Sequence, residues 1–412
     1  MGDERPNPEP KVDIIPHLPS EVFIVGAART PIGRYGGAFR SVHPAELGAV
    51  AVRAALARAG VEGAAVDEVL MGHARQGDSG PNPARQVGRR AGLPDSVPAQ
   101  TINKACASGM QAVATGAQSI LLGEAEIVVA GGIESMSRMP YLVDADDARW
   151  GRRMGNFTFV DAMYRDGFTC SLSGLIMGET AEALAAQYGI TREASDEYAV
   201  ETQRRAAAAA AGGYFRPEIA PVTVTDAKGR SSVIETDEHP RPDTTAESLR
   251  RLAPVFPGGI TTAGTSSGIT DGGAAVILMS GARAAASGAT PLARLIGWSS
   301  AGVDPRIMGI GPVPAMRKLF ARTGLGMDDF DLVELNEAFA PQVLAVLQDE
   351  PIDPDRLNVN GGAIALGHPI GCTGTRILVT LLHEMLRRQA RRGLATLCVS
   401  GGMGMAMAIE AM

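Results

Sequence analysis

The sequence predicts a layered α/β fold of two like halves with a dissimilar region between them, and two patterns predict it. The first is the element order near the start. EVFIVGAAR (21–29) is apolar and closes on a Gly turn, which reads as a buried strand. Pro44 to Ala59 carries Leu47, Val50, Ala51, Ala54 and Leu56 in a helical stripe, and Val66 to Gly72 is the next strand. Strand, helix, strand in that order belongs to helices packed on a sheet. The second pattern is an internal repeat. Residues 101–132, TINKACASGMQAVATGAQSILLGEAEIVVAGG, read as a short strand, a small-residue turn, a helix and a buried strand. Residues 358–386 followed by 394–404 repeat that order. One helix places Met110, Val113, Ala117 and Ile120 or Leu121 on a face. The other places Ile377, Leu381 and Met385 there, with Leu378 and Leu382 beside them. Arg387 and Arg388 close the second helix, where cations suit its dipole. Such a repeat implies a duplication with two halves facing each other.

The region between the copies, 137–266, has another character. It holds Trp150, Arg152 and Arg153, the helical stretch ETAEALAAQYGI, an Ala-rich run and the Pro- and charge-rich TDEHPRPDTTAES. It reads as a lid or a ligand-contacting subdomain; a peripheral loop region without function is the other reading, and composition does not separate them.

Bulk properties narrow the function. The chain of 412 residues is 45% hydrophobic and 20% charged, an ordinary soluble balance. Its 50 glycines lack a strict period and fit tight turns and close backbone approach to a ligand. Aromatic residues are only 4%, so Ala, Val, Leu, Ile and Met must build the core. A net charge of -7 argues against nucleic acid as the main partner. The apolar stretches are too short to span a membrane. Four cysteines without a CxxC pair or a secretory signal fit free thiols in a reducing cytoplasm. Residues 1–20, with several Pro and charged residues, read as a flexible arm.

Four residues stand out chemically. Cys106, in Asn103-Lys-Ala-Cys-Ala-Ser-Gly109, follows a strand and precedes a helix, where free N–H groups and the positive dipole end lower a thiol's pKa. Small neighbours leave room for a substrate; a buried structural cysteine is the other reading. His368 lies among glycines in a strand-to-helix turn, placed to deprotonate a thiol or donate to an oxyanion. The remaining histidines (His17, His43, His73, His239 and His383) read as surface or capping residues. Cys398 ends an apolar strand before Val-Ser-Gly-Gly-Met-Gly404. A thiol there suits a general acid/base that shuttles a carbon-bound proton, with a core cysteine as the alternative. Cys372 is given a packing role. Asn336, in Asn336-Glu-Ala-Phe339, either caps a helix or fixes a water at an oxyanion site. One competing pattern exists: Gly264-Thr-Ser-Ser-Gly268 fits G-x-S-x-G, which would make Ser266 the nucleophile of a serine hydrolase. The stretch before it, PGGITTA, is a poor buried strand, and the strong strand follows instead. Neither G-x-G-x-x-G nor a P-loop occurs.

Taken together, VGAARTPIGRYGG, NPARQ, INKACASGMQA, VVAGGIESMSRMPY, TAGTSSGITDGGAA, MGIGPVPA, NEAFA, NVNGGAIALGHPIGCTG and LCVSGGMGMA resemble the thiolase family, in the family's order, over 21–412. The resemblance implies a five-layer α-β-α-β-α sandwich. Its duplicated halves would be 21–136 with 267–291 and 292–412, and 137–266 an inserted loop domain for coenzyme A binding and oligomerisation. It implies ping-pong acyl transfer between acetyl-CoA and an acyl-CoA, with free CoA as product or substrate and no other cofactor or metal. Cys106 would carry the acyl group, His368 would be its base, and Cys398 would remove or return the α-proton. His368 and a water on Asn336 would hold the enolate oxygen, and the backbone N–H groups of Cys106 and Ser400 the other oxyanion. Ser267 would touch the pantetheine arm, Arg241 and Ser248 the adenosine end, and Ile176 and Met177 the acyl pocket. A homotetramer or homodimer is implied by the loop 152–182. Two departures stand out: Ser400 occupies a position where the family usually has Gly, and Ile176 one where acetoacetyl-CoA thiolases have His. Decarboxylating ketosynthase-like enzymes, the near alternative, have a His or an Asn where this chain has Cys398.

Overall fold

The computed structural model describes residues 21–412; the arm expected over 1–20 lies outside the described residues. The chain opens with β1 (Val22–Arg29), α1 (Pro44–Ala59), β2 (Glu68–His73), α2 (Pro83–Ala91), β3 (Ala99–Ile102), α3 (Ser108–Leu121) and β4 (Ile127–Ser135). Helix α1 has the bounds its sequence signals set. Pro44 stands in the first turn, His43 caps it by accepting from the Ala45 N–H, and Gly60 ends it in the left-handed region. The next stretch carries α4 (Met177–Tyr188) and α5 (Arg192–Ala211). It also has two small sheets, Tyr141–Leu142 with Val160–Asp161 and Val222–Thr225 with Ser231–Ile234, which stay apart from the main sheet. Then follow β5 (Thr270–Ser280), β6 (Ala293–Gly302), α6 (Pro312–Thr323), β7 (Leu332–Leu335), α7 (Ala340–Asp349), α8 (Ile370–Arg388), β8 (Arg392–Val399) and β9 (Met403–Ala411).

The main sheet runs β7-β8-β9-β6-β1-β5-β4-β2-β3, with the short strand Gly33–Arg34 added to β5. Its two sides repeat one pairing scheme. β1 with β5 and β5 with β4 are antiparallel, as are β6 with β9 and β9 with β8; β4 with β2 and β8 with β7 are parallel. In the sheet of the described residues the two sides pair at Phe23–Arg294 and Ile24–Ala293. One strand of the second copy differs from expectation. Residues 358–361 do not continue the sheet, which ends in a single bridge between Leu357 and Val333. The Asn358 side chain takes the place of the ladder: its Oδ1 accepts from Leu335 N at 2.9 Å and its Nδ2 donates to Leu335 O at 2.8 Å. A left-handed φ of 43° at Asn358 turns the chain away.

Alternation along the strands builds the layers. Phe23, Val25, Val69, Met71, Ala275 and Ile277 face α1 and α2. Their neighbours Ile24, Leu70, Val276 and Leu278 face a second core, shared with Leu397, Met405 and Ile409 of the other half. That core is filled by α3 and α8, while α6 and α7 cover the outer side of β7, β8 and β9. The result is an α-β-α-β-α sandwich. Helix α8 is buried nearly all round from Ile370 to Leu382, not along one stripe, because it lies between the halves. The central helices approach closely: a Cβ on Gly374 would lie 2.5 Å from the Met110 N. This crossing brings the N-terminal ends of α3 and α8 together.

Candidate active site

Cys106 sits between β3 and α3, one residue before the N-cap Ala107. Ala105 before it has φ 45°, a strained value for a residue with a Cβ. The turn is held on both sides. Ala105 N donates to Asn103 Oδ1 at 3.0 Å, and Ser108 Oγ accepts from Lys104 N at 2.8 Å and donates to Ala105 O at 2.6 Å. The thiol is buried, and here the sequence expectation is reversed. Burial pushes the Cys106 pKa up, although the N–H groups of Ser400 and of Cys106 itself and the charge of Arg75 pull it down. Desolvation outweighs the helix end, so the thiol needs a base.

His368 stands in the turn that leads into α8. It follows Gly367, whose φ of 102° and whose 2.4 Å approach of a would-be Cβ to Thr270 exclude other residues. The His368 N–H donates to Gly268 O at 3.0 Å. Its Nδ1 lies 2.6 Å from Thr373 Oγ1, and that hydroxyl gives its hydrogen to Pro369 O at 3.0 Å. Thr373 therefore accepts from Nδ1–H, which leaves the Nε2 lone pair free. Burial first, then the charges of Arg376 and Arg75, hold the imidazole pKa down to about 3, so the ring is neutral.

Sequence reasoning missed the group that steadies this loop. Glu134, at the end of β4, is fully buried; its Oε2 accepts from Gly371 N at 2.8 Å, and its carboxylate also accepts from Arg75 N. A strand of the first half thus caps the first turn of α8, which belongs to the second. His73 Nε2 lies 3.1 Å from the same carboxylate and the ring is fully buried, so it is not the surface or capping histidine expected. Glu337 is a second hub, accepting from Tyr198, Thr202, Asn358 and Ile364 N and tying α5 to the second half. Neither carboxylate lies in a spacing that singles it out before the halves are packed.

Cys398 ends β8, and Gly401 and Gly402, with φ of 87° and 83°, turn the chain into β9. Its thiol packs with Met308 and Ala338, and with Met177 and Phe339 alongside. Burial pushes its pKa far up, and the negative charge of a Cys106 thiolate adds to this, which places the two sulfurs in one site. Asn336 does not cap α7, whose N-cap is Phe339. Its backbone N–H donates to Thr396 O at 2.9 Å, while both amide atoms of its side chain are buried with no hydrogen bond among the described residues. Leaving such atoms unpaired costs about 1–3 kcal/mol each, so the amide is set to hold a water or a substrate oxygen.

A cleft of about 290 Å³ is lined by Gln203, His239, Arg241, Ser248, Gly264 and Ile364 among others. Arg241 and Ser248 are thus brought together. The Ser248 hydroxyl is engaged with Thr245 in the cap of a short helix. His239 was expected at the surface; instead its Nδ1 lies 2.8 Å from Ala365 O and its ring covers Gly268, where a Cβ would fall 2.1 Å from Nε2. Gly268 in turn accepts from His368, and Ser267 N donates to Ala338 O at 3.0 Å. These backbone hydrogen bonds tie the glycine beneath His239 to His368 and its neighbour Ser267 to Ala338 of the Cys398 cluster. Ile176 precedes α4, donating its N–H to Glu179 Oε2 at 2.7 Å, and Met177 reaches the Cys398 cluster. Ser266 is no nucleophile elbow. No strand precedes it, its backbone bridges to Phe339, and its hydroxyl donates to Thr262 O at 2.7 Å. Cys372, buried in the first turn of α8, is pushed up to about 12.

Comparison with known proteins agrees with this geometry. Residues 22–282 match the family model "Thiolase, N-terminal domain" and 289–411 match "Thiolase, C-terminal domain". An acetyl-CoA acetyltransferase of Cupriavidus necator is 51% identical over 392 residues, covering 95% of this chain and 99% of the relative. One from Escherichia coli is 50% identical over 388 residues, covering 94% and 98%. Among solved structures, the Bacillus anthracis acetyl-CoA acetyltransferase superposes with TM-score 0.92 at 46% identity, covering 95% of this chain and 99% of that one. Human mitochondrial 3-ketoacyl-CoA thiolase superposes with TM-score 0.92 at 43% identity, covering 96% and 100%. Two facing half-domains, two thiols and one imidazole at their seam, and family models that together span nearly all the described residues lead to one conclusion: the chain belongs to the thiolase family of acyltransferases.

Proposed function

We propose that the chain transfers an acyl group reversibly between coenzyme A thioesters through a covalent acyl-Cys106. What supports this is the burial of Cys106, Cys398 and His368, the mutual influence of the two thiols, and the contact between the helix starts that follow Cys106 and His368, where a Cβ on Gly109 would lie 3.0 Å from Gly371 O. In the first half-reaction the Cys106 sulfur bonds to the acyl carbon and the carbon–sulfur bond to CoA breaks. The Cys106 proton passes through His368 Nε2 to the leaving CoA sulfur. In the second, Cys398 gives its proton to His368 Nε2 and takes one from the methyl carbon of acetyl-CoA. The imidazolium and a water on Asn336 hold the enolate oxygen. The enolate carbon attacks the acyl carbonyl, the bond to Cys106 breaks, and His368 returns a proton to Cys106. Splitting one hard step into two in this way gives ping-pong kinetics. The Ser400 N–H serves the acylation oxyanion as a Gly would, since only the backbone is used.

The test is incubation with acetyl-CoA followed by peptide mass spectrometry. An acetyl group on Cys106 is the expected result; a label on Ser266, or none, defeats the reading. Condensation of thioesters is generally uphill, so CoA and acyl-CoA levels set the direction, in fatty-acid synthesis or breakdown. Ile176 gives the acyl pocket an apolar wall, which supports acyl chains longer than that of acetoacetyl-CoA. Medium-chain 3-ketoacyl-CoA cleavage should be measurable, and a strict acetoacetyl-CoA preference in a chain-length series defeats this part. Assembly into a homotetramer or homodimer is supported by the exposed apolar side chains of Tyr141, Trp150, Met154 and Phe159. The four unpaired cysteines fit work in the reducing cytoplasm.

A further inference from the structure

One buried charge at this site has no counterpart. Arg75 follows β2 and is only 7% exposed. Its guanidinium makes one hydrogen bond, from Nη2 to Gly167 O at 2.7 Å, and its Nε is buried with no partner among the described residues. Arg29, also deeply buried, is matched by Glu218 and Asp237, each at 2.7 Å. Arg376 faces Glu334 at 3.6 Å, although its Nε and Nη1 also lack a hydrogen bond among the described residues. The nearby Glu134 accepts from the Arg75 backbone, and no carboxylate of the described residues forms an ion pair with the guanidinium. Burying a cation in this way is costly unless an anion meets it.

The surroundings indicate where that anion comes from. Ala74, next in the chain, accepts at its backbone oxygen from Asn103 Nδ2 at 3.1 Å, and Asn103 holds the turn that carries Cys106. A Cβ on Gly167 would stand 3.0 Å from Arg75 Nε, so the glycine leaves space for the head group. The positive charge is near enough to act on both the Cys106 thiol and the His368 ring. Arg75 is absent from the wall of the Arg241–Ser248 cleft, so the phosphates of coenzyme A are not its natural partner. The Cys106 side of the site is where the acyl chain is carried.

We propose that Arg75 receives a carboxylate at the far end of the acyl chain, so that the enzyme prefers acyl-CoA donors ending in a carboxylate beyond a short methylene segment. The apolar residues Ile176, Met177 and Met163 suit the methylenes, and the planar guanidinium suits the carboxylate. This deepens the acyl-transfer reading and rests on Cys106 carrying the chain. The carboxylate keeps its charge throughout and the covalent steps are unchanged.

Matched donors test it: succinyl-CoA against butyryl-CoA and glutaryl-CoA against pentanoyl-CoA, each condensed with acetyl-CoA. Wild type, Arg75→Met and Arg75→Lys are compared by kcat/KM. The wild type should favour the carboxylated member by about tenfold or more. Arg75→Met should invert that ratio, and Arg75→Lys should keep part of it. A wild type that uses butyryl-CoA as well as succinyl-CoA overturns the proposal without any variant. So does an Arg75→Met protein in which both donors fall in proportion, the result expected if Arg75 served only the charge on Cys106. Absence of acetyl on Cys106 is a separate outcome and removes the acyl-transfer reading itself.

Discussion

Cys106→Ser should abolish acyl-enzyme formation and lower thiolytic kcat by on the order of 10⁴-fold or more. That is roughly 5 kcal/mol or more of lost transition-state stabilisation. The reason lies in the turn that holds the residue. Ala105 is kept at positive φ by Asn103 and Ser108, so the side chain at 106 is held in place whatever its chemistry. A serine hydroxyl would sit in the same place facing the same imidazole. It would still fail, because a hydroxyl is far less acidic than a thiol and a far weaker nucleophile toward a thioester beside the same base. Stopped-flow release of CoA from acetyl-CoA measures the loss, and a melting curve should show a fold kept intact. Substantial activity in Cys106→Ser would mean that another group carries the acyl chain. The pH dependence has a defined sign. Burial raises the Cys106 pKa, so its thiolate fraction grows as pH rises through and beyond the ordinary cysteine range. Alkylation by iodoacetamide should therefore quicken with pH. His368, neutral at every pH above about 3, should add no step near pH 6.

Cys398→Ala separates the two half-reactions. Acylation of Cys106 by acetyl-CoA should persist, since its proton route runs through His368 and the thiol at 398 takes no part. Condensation should fall by about 10²–10⁴-fold, the range for loss of a positioned acid/base. Methyl-proton exchange of acetyl-CoA in D₂O, which isolates the step, should fall with it. The side chain also fills space among Met308, Ala338 and Met177, so a stability loss of about 1 kcal/mol is expected from the small cavity. Normal condensation or exchange in this variant would give the carbon-bound proton to another group. Comparing deuterium exchange with the acyl label on the same sample excludes simple misfolding.

Much of the fold was legible because its signals are local. Apolar runs of strand length, the stripe of α1 with its Pro and Gly ends, and the repeated turn and helix after Cys106 and His368 each fit within about thirty residues. Cys106, Cys398 and Asn336 could be singled out because each stands at the end of a strand, and His368 because it stands among small residues before a helix. What stayed hidden depends on burial and on contacts across the chain. The Cys106 pKa shifts upward because α8 and the second half exclude water from it, which no spacing reveals. Asn358 replaces a strand by pairing its side chain with Leu335. His239 becomes a wall of the cleft only because Gly268, with no Cβ, lies beneath its ring.

Sequence alone established two duplicated α/β halves and the chemical inventory of two thiols and an imidazole at loop ends. Tertiary structure settled which groups are buried and which way burial moves them. Glu134 of the first half caps the helix that follows His368 in the second, and Arg75 is left buried without a carboxylate. Residue identity and short-range pattern are written in order along the chain. Desolvation and charge pairing arise only when segments hundreds of residues apart close over one another and expel water.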